Sequence, residues 1–318
     1  MTASPDPAPT GTAPILRLGT RRSPLAMAQA EEARERLCRA HGWKADAVEL
    51  VPVTASGDKV QDRPLAEIGG KALWTRELDV WLAEGRIDAA VHSMKDVETL
   101  RPETLAIGAI LPRADVRDVL VGADSLAAIA PGARLGTSAP RRAAQFLRAR
   151  PDCATVGLRG NVATRLAKLE AGDADITLLA KAGLDRLGEE ETGTPLDPHV
   201  WLPAPQQGAI GLECNAADDR VRDLLSAVNH RPSRHAVEAE RALLRALGGT
   251  CHSPVAAWTQ HEEDMLTLCA AIYNADGSQE VRREARFDAG DLDAAGRLGK
   301  ALLDEAGPEV RALFGEAA

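Results

Sequence analysis

Arginine recurs along this chain where a strand is expected to give way to a helix. Arg21 and Arg22 precede Ser23, Arg141 and Arg142 follow Pro140, and Arg159 precedes Gly160-Asn161. Arg165 falls in the first turn after Asn161, and Arg186 follows the run AKAGLD. A helix N-terminus already attracts anions through its free N–H groups and its dipole. An arginine there weakens the helix locally unless an anion binds, and a planar guanidinium suits carboxylates. Any one of these residues reads as a solvated surface arginine. Five or six at equivalent turns read better as a cleft for a ligand with several carboxylates or phosphates.

The run HSMKD adds a second chemistry. Residues 89–94 form an apolar strand with one histidine, and Lys95-Asp96 follow at its carboxyl end, which faces the ligand crevice in open α/β sheets. Asp96 among arginines is either a plain ion pair or the group that stabilises a cation developing in a substrate. Lys95 reads as a salt-bridge or anion-binding group rather than a Schiff-base lysine, because no hydrophobic pocket is signalled around it. His92 reads equally as a satisfied core histidine and as a site residue.

A third feature is the thiol in LGGTCHSPVA. Cys251 stands among glycines and hydroxyl residues, whereas Cys38, Cys214 and Cys269 lie in helical or apolar runs and Cys153 follows Pro151-Asp152. A thiol on a small, bendable loop gains little from packing. No metal site is signalled: Arg-Pro-Ser-Arg separates His230 from His235, and Cys251 and His252 are adjacent. No Walker-type loop occurs, and no G-x-G-x-x-G follows a strand.

The elements that must position these groups come from the rest of the chain. Its 318 residues imply two or three domains. Acids outnumber bases, 47 to 38, for a net charge of -9, which argues against nucleic-acid or anionic-membrane partners. Five cysteines without paired spacing fit a reduced, cytoplasmic protein. The start, MTASPDPAPTGTAP, lacks the features of a secretory signal and is expected to be disordered. No apolar run approaches the length that spans a bilayer.

Two stretches share a grammar of strand, Gly-Thr turn and helix. RLGTRRSPLAMAQ and RLGTSAPRRAAQ share Arg-Leu-Gly-Thr, a nearby Ser and Pro, and a later Ala-Gln. GRIDAAVHSMK resembles GDADITLLAK, with Asp88 and Asp175 each three residues after a glycine. This predicts two related α/β domains built from βαβ units around mainly parallel sheets. The chain is expected to cross between them in AILPRADVRDVLV and back in WLPAPQQGAIGLEC. The expected layout is a tail over 1–13, a first domain over 14–111 plus 206–228, and a second over 112–205. A C-terminal α+β domain follows over 229–318, with a strand, an Asn-Ala-Asp-Gly turn, a strand and one final helix, DAAGRLGKALLDEAGPEVRALF.

In order, LRLGTRRSPLAMAQ, GDKVQDRPLAEIGGKALWTRELD, AVHSMKDVE, GTSAPRRAAQ, LRGNVATRLAKL, LAKAGLDRLG, PAPQQGAIGLEC and GGTCHSPVAA resemble the hydroxymethylbilane synthase (porphobilinogen deaminase) family across nearly the whole chain. The resemblance implies two periplasmic-binding-protein-like α/β domains and a smaller C-terminal α+β domain. It implies a transferase of tetrapyrrole biosynthesis that joins four porphobilinogen molecules head to tail, releases ammonia, and frees 1-hydroxymethylbilane with water. Cys251 would hold a dipyrromethane cofactor through a thioether. Asp96 would be the catalytic carboxylate, holding pyrrole N–H groups and stabilising the cation left when ammonia departs. Arg21, Arg141, Arg142, Arg159, Arg165 and Arg186 would grip acetate and propionate groups, with Ser23, Lys95, Thr137 and Ser138 adding polar contacts. The loop 56–74, with Asp58, Lys71 and Trp74, would act as a lid, and a monomer is expected.

Three residues depart from the usual family pattern. Ala139 stands where many members have serine, Trp74 replaces a common phenylalanine, and Gln206 stands where glycine or valine is frequent. The competing reading is a non-catalytic two-domain binder of anionic solutes, which leaves Cys251, Asp96 and the third domain without a purpose. A ligand-sensing regulator ranks lower, because no helix-turn-helix is apparent.

Overall fold

Ser23 starts the first helix as its composition predicts. Its backbone is extended, its hydroxyl accepts the Ala26 N–H at 3.3 Å, and Pro24 occupies the first turn. Gly42, at φ 68°, closes the helix in the left-handed conformation. The computed structural model describes residues 13–54, 75–250 and 252–315. All but the last residue of the expected tail, the expected lid residues Asp58, Lys71 and Trp74, and Cys251 lie outside the described residues.

In chain order the strands are β1 (Leu16–Arg21), β2 (Val48–Val53), β3 (Ala89–Ser93), β4 (Leu105–Ile110), β5 (Asp118–Val121), β6 (Arg134–Gly136) and β7 (Ala154–Val156). They continue with β8 (Ile176–Ala180), β9 (Thr194–Pro195), β10 (Ile210–Asn215), β11 (Val255–Glu262), β12 (Met265–Tyr273) and β13 (Glu280–Asp288). The helices are α1 (Pro24–His41), α2 (Arg76–Ala83), α3 (Pro140–Ala149), α4 (Val162–Glu170), α5 (Lys181–Arg186), α6 (Asp219–Ser226), α7 (Arg231–Leu247), α8 (Leu292–Glu305) and α9 (Pro308–Arg311).

Two five-stranded sheets repeat one plan. Their orders are β2-β1-β3-β10-β4 and β7-β6-β8-β5-β9. In each, three strands run parallel, and the next strand is antiparallel to both of its neighbours. The register repeats as well: Leu18 faces Ala89 in the first sheet and Leu135 faces Ile176 in the second. Arg17 donates backbone and side-chain N–H groups to Asp88, and Arg134 does the same to Asp175. The duplicated Gly-x-x-Asp of the sequence is therefore a duplicated clamp at the entrance of β3 and β8.

The chain passes from the first sheet to the second between β4 and β5 and returns between β9 and β10. Both crossings are tied to α7. Buried Glu240 accepts from both Nη atoms of Arg113 on the outward crossing, and from the backbone N–H of Gln206 on the return. Gln206 has a φ of 65°, a conformation natural to glycine, and its side chain is held by Arg241 at 3.0 Å.

The third sheet, β11-β12-β13, is antiparallel and packs its apolar face on α7 and α8 around Leu243, Leu247, Leu268 and Leu302. The single final helix expected from the sequence is two helices. Ala306 is extended and Pro308 starts α9, because the residues leading into a proline are pushed out of helical geometry. Among the described residues no helix is long and apolar enough to cross a membrane.

Candidate active site

β3 ends at Ser93, and Met94–Asp96 form a single 3-10 turn that presents Lys95 and Asp96. Met94 is fully buried, which anchors the turn to the core. Asp96 lines a small pocket with Arg21 from the end of β1, Ser23 at the start of α1, and Gln29, Thr75 and His92. Three sequence-predicted residues from separate elements thus meet at one place.

Lys95 points toward the second half of the molecule. Its Nζ donates to Gln207 Oε1 at 3.2 Å. Burial pushes its ammonium down to about 8, partly offset by the nearby carboxylates of Asp96 and Asp118, while Arg142 and Arg141 push the same way as burial. Arg165, in the first turns of α4, is likewise pushed down to about 10 by burial and by Arg142, with Asp96 acting in the opposite sense. Asp96 and Lys95 on one half therefore sense Arg165 and Arg142 on the other.

The turn between β6 and α3 holds Thr137, Ser138, Arg141 and Arg142. Thr137 is buried and its hydroxyl accepts the Ala139 N–H at 3.1 Å, while Ser138 donates to Leu158 O at 3.1 Å. Arg141 is sealed from solvent and donates to Asp118 Oδ2, Gln145 Oε1 and Leu202 O. Arg142 donates to Asp118 Oδ1 at 2.6 Å and Leu178 O at 2.7 Å. Arg186 sits farther along, donating to Glu32 of α1 at 3.0 Å and to Gly208 O at 3.3 Å. Arg186 and Arg141 thus hold carboxylates of the chain itself in this conformation.

Two guanidinium atoms are left over. Arg142 Nε and Arg159 Nη1 are buried with no hydrogen-bond partner among the described residues. Buried donors are normally paired, so such atoms mark a place where a ligand supplies the acceptors. Among the described residues, Lys95, Arg141, Arg142, Arg159 and Arg165 gather near the carboxylates of Asp96 and Asp118. That set suits a group carrying several carboxylates, so these residues fit a dipyrromethane with acetate and propionate side chains. Among the described residues no group of three or more His, Cys, Asp or Glu is placed to hold a metal ion.

Asp118 organises the arginines although its sequence context does not single it out. It accepts from Arg141, Arg142, Trp201 Nε1 and Gln207 Nε2. Burial works against its charge, yet the guanidinium groups of Arg141 and Arg142 outweigh it and hold the carboxyl well below the usual carboxylate range. The available signal was an acid heading an apolar strand, RDVLV. A second polar network also went unread. Buried Glu213 on β10 accepts from His92 and Arg101, and Arg101 also reaches Asp79 and Glu98. Burial raises the Glu213 carboxyl, but these two bases more than compensate and bring it to about 2. His92 is thus a pocket-lining residue with a buried carboxylate partner.

Comparison with known proteins agrees with this geometry. Residues 16–223 match the porphobilinogen deaminase, dipyromethane cofactor binding domain, and residues 235–306 match the porphobilinogen deaminase C-terminal domain. A porphobilinogen deaminase of Sphingopyxis alaskensis is 56% identical over 306 residues, covering 94% of this chain and 96% of that protein. One from Paracoccus denitrificans is 47% identical over 299 residues, covering 93% of this chain and 94% of that protein. An ancestral cationic amino acid solute binding protein superposes with a TM-score of 0.42 at 16% identity, covering 66% of this chain and 86% of that one. With both domain matches in register and relatives at this level of identity along almost its whole length, the chain belongs to the porphobilinogen deaminase family.

Proposed function

We propose that this chain joins four porphobilinogen molecules head to tail and releases 1-hydroxymethylbilane, with Asp96 as the catalytic carboxylate and Cys251 as the cofactor anchor. The observation that carries the reading is the pair of buried, unpartnered guanidinium atoms of Arg142 and Arg159 in the cationic surround of Asp96. Bound dipyrromethane supplies a nucleophilic pyrrole carbon as primer. In each addition the aminomethyl C–N bond of porphobilinogen breaks and ammonia leaves with the electron pair. Asp96 faces the cation that remains and lowers its energy electrostatically. The acceptor pyrrole would supply the carbon for the new C–C bond, its displaced ring proton leaving with the released ammonia as ammonium, and water would end the series.

Arg142, Arg159, Arg165 and Lys95 hold acetate and propionate groups, whereas Arg21 and Ser23 orient the ring beside Asp96. Thr137 and Ser138 shape the turn that carries Arg141 and Arg142. Arg141 holds Arg142 in place through Asp118, and Arg186 becomes a ligand contact when it exchanges Glu32 for a substrate carboxylate. The three units divide at 14–111 plus 206–228, 112–205 and 229–318, and the protein works as a cytoplasmic monomer. Supplying porphobilinogen tests the reading. Release of one ammonia per substrate consumed, with a product that oxidises to a coloured porphyrin, is the expected result. Binding of porphobilinogen without ammonia release would leave a solute-binding protein instead.

A further inference from the structure

The segment that follows Asp96 is fastened to the root of the thiol loop. Thr99, three residues after Asp96, donates its hydroxyl to the backbone oxygen of Gly249 at 3.1 Å. Gly249 follows Gly248, which ends α7 at φ 60°, and precedes Cys251 by two residues. The same segment is held from behind by Arg241, a buried residue of α7. Its Nη2 donates to the backbone oxygens of Glu98 at 2.7 Å and Thr99 at 3.0 Å, and its Nη1 reaches Gln206 Oε1 on the return crossing. Just beyond Gly249, Thr250 and Ser253 exchange two hydrogen bonds.

The catalytic turn and the anchor thus lie on different units, spanned by the Thr99 hydroxyl and the Arg241 guanidinium. We infer that Thr99 is a positioning residue, set by Arg241, that fixes the root of the Cys251 loop relative to Asp96. A growing chain of pyrroles must repeatedly present its end at Asp96 while its other end stays on the loop. A fixed root leaves the lengthening chain itself as the part that must rearrange to meet Asp96, and misplacement costs rate rather than binding. The inference rests on the reading that Cys251 holds the primer, and it goes beyond the ligand contacts of the cleft, because Thr99 acts through backbone.

Thr99→Val keeps the shape and removes only the hydroxyl, and Thr99→Ser restores it. The test uses purified holoenzyme of each form, with intact mass, unfolding midpoint, steady-state kinetics and the masses of covalent intermediates. Thr99→Val is expected to carry the primer and to unfold within a few degrees of the wild-type midpoint. Its kcat should fall about three- to tenfold, the scale of one neutral hydrogen bond, with KM unchanged. Partly extended intermediates should accumulate, and Thr99→Ser should return both kcat and their distribution. Arg241→Lys, which keeps the charge but not the three-point grip, should show the same pattern of intermediates. Wild-type kcat and intermediates in Thr99→Val would overturn the inference, as would an equal loss in Thr99→Ser. A wild-type protein without the primer mass would instead overturn the anchor reading itself.

Discussion

Arg142 donates from Nη2 to Oδ1 of Asp118 at 2.6 Å, and both side chains are buried. The other Asp118 oxygen takes Arg141, so a single carboxylate organises two arginines at one helix start. Removing that charge leaves two buried cations without a counterion. Asp118→Asn should therefore cost about 3–5 kcal/mol, the usual penalty for breaking a buried ion pair. Urea unfolding measures it, and a loss below about 1 kcal/mol would show that the arginines do not depend on Asp118.

Lys95 gives a prediction that depends on its ligand. In Cys251→Ser, which lacks the anchor, the Lys95 ammonium should titrate near 8, where burial and the neighbouring arginines place it. Carboxylates favour the charged form, so the primer in the wild-type protein should move the midpoint upward. Binding of anions to Cys251→Ser should accordingly take up protons at pH values just above 8. Carbon-13 NMR of reductively methylated protein, assigned with Lys95→Arg, reads the midpoint. A value near that of a free lysine in Cys251→Ser would contradict the half-buried, arginine-flanked setting.

Gly277 tests how the third unit supports the arginine helix. It lies in the turn between β12 and β13 at φ 71°, and a Cβ there would meet the backbone oxygen of Ala144 in α3 at 2.0 Å. Gly132 has a similar φ of 77° with open space around it. Gly132→Ala should cost only the left-handed strain, about 1–2 kcal/mol. Gly277→Ala should cost clearly more, because α3 must shift as well. Equal losses in thermal unfolding would mean that the turn does not press on the helix that carries Arg141 and Arg142.

Asp96 separates chemistry from architecture. It lies on the surface of a cleft, half-buried, at the end of a turn anchored by Met94. Asp96→Ala should fold and carry the primer, yet lose roughly a hundred- to a thousandfold in turnover, the scale of a missing electrostatic stabiliser. Activity within tenfold of wild type would place the stabilising charge elsewhere.

Local signals made much of the fold legible. Ser23, Pro24 and Gly42 bound α1 by capping rules that operate within a few residues. The duplicated RLGT and Gly-x-x-Asp patterns marked two related sheets, because each Asp must return to clamp the arginine at the start of its own β1-type strand. What stayed hidden depends on distant partners. Nothing near Arg186 announces Glu32, and nothing near Arg141 announces Asp118. The clustering of Arg21, Arg141, Arg142, Arg159 and Arg165 at or near helix starts was readable, whereas Arg186, expected at such a start, is the last residue of α5. Which guanidinium atoms are spent inside the protein and which are left for a ligand is fixed only by tertiary packing. The break at Gly307-Pro308 was locally encoded, yet an otherwise continuous amphipathic run concealed it.

The central claim is that a cysteine thioether holds a pyrrole primer within reach of Asp96 and the cationic cleft. Intact mass spectrometry of the purified chain and of Cys251→Ser addresses it most directly. The wild type should exceed its sequence mass by one dipyrromethane, and Cys251→Ser should weigh what its sequence requires and be inactive. A fully active wild type at its bare sequence mass would contradict the account.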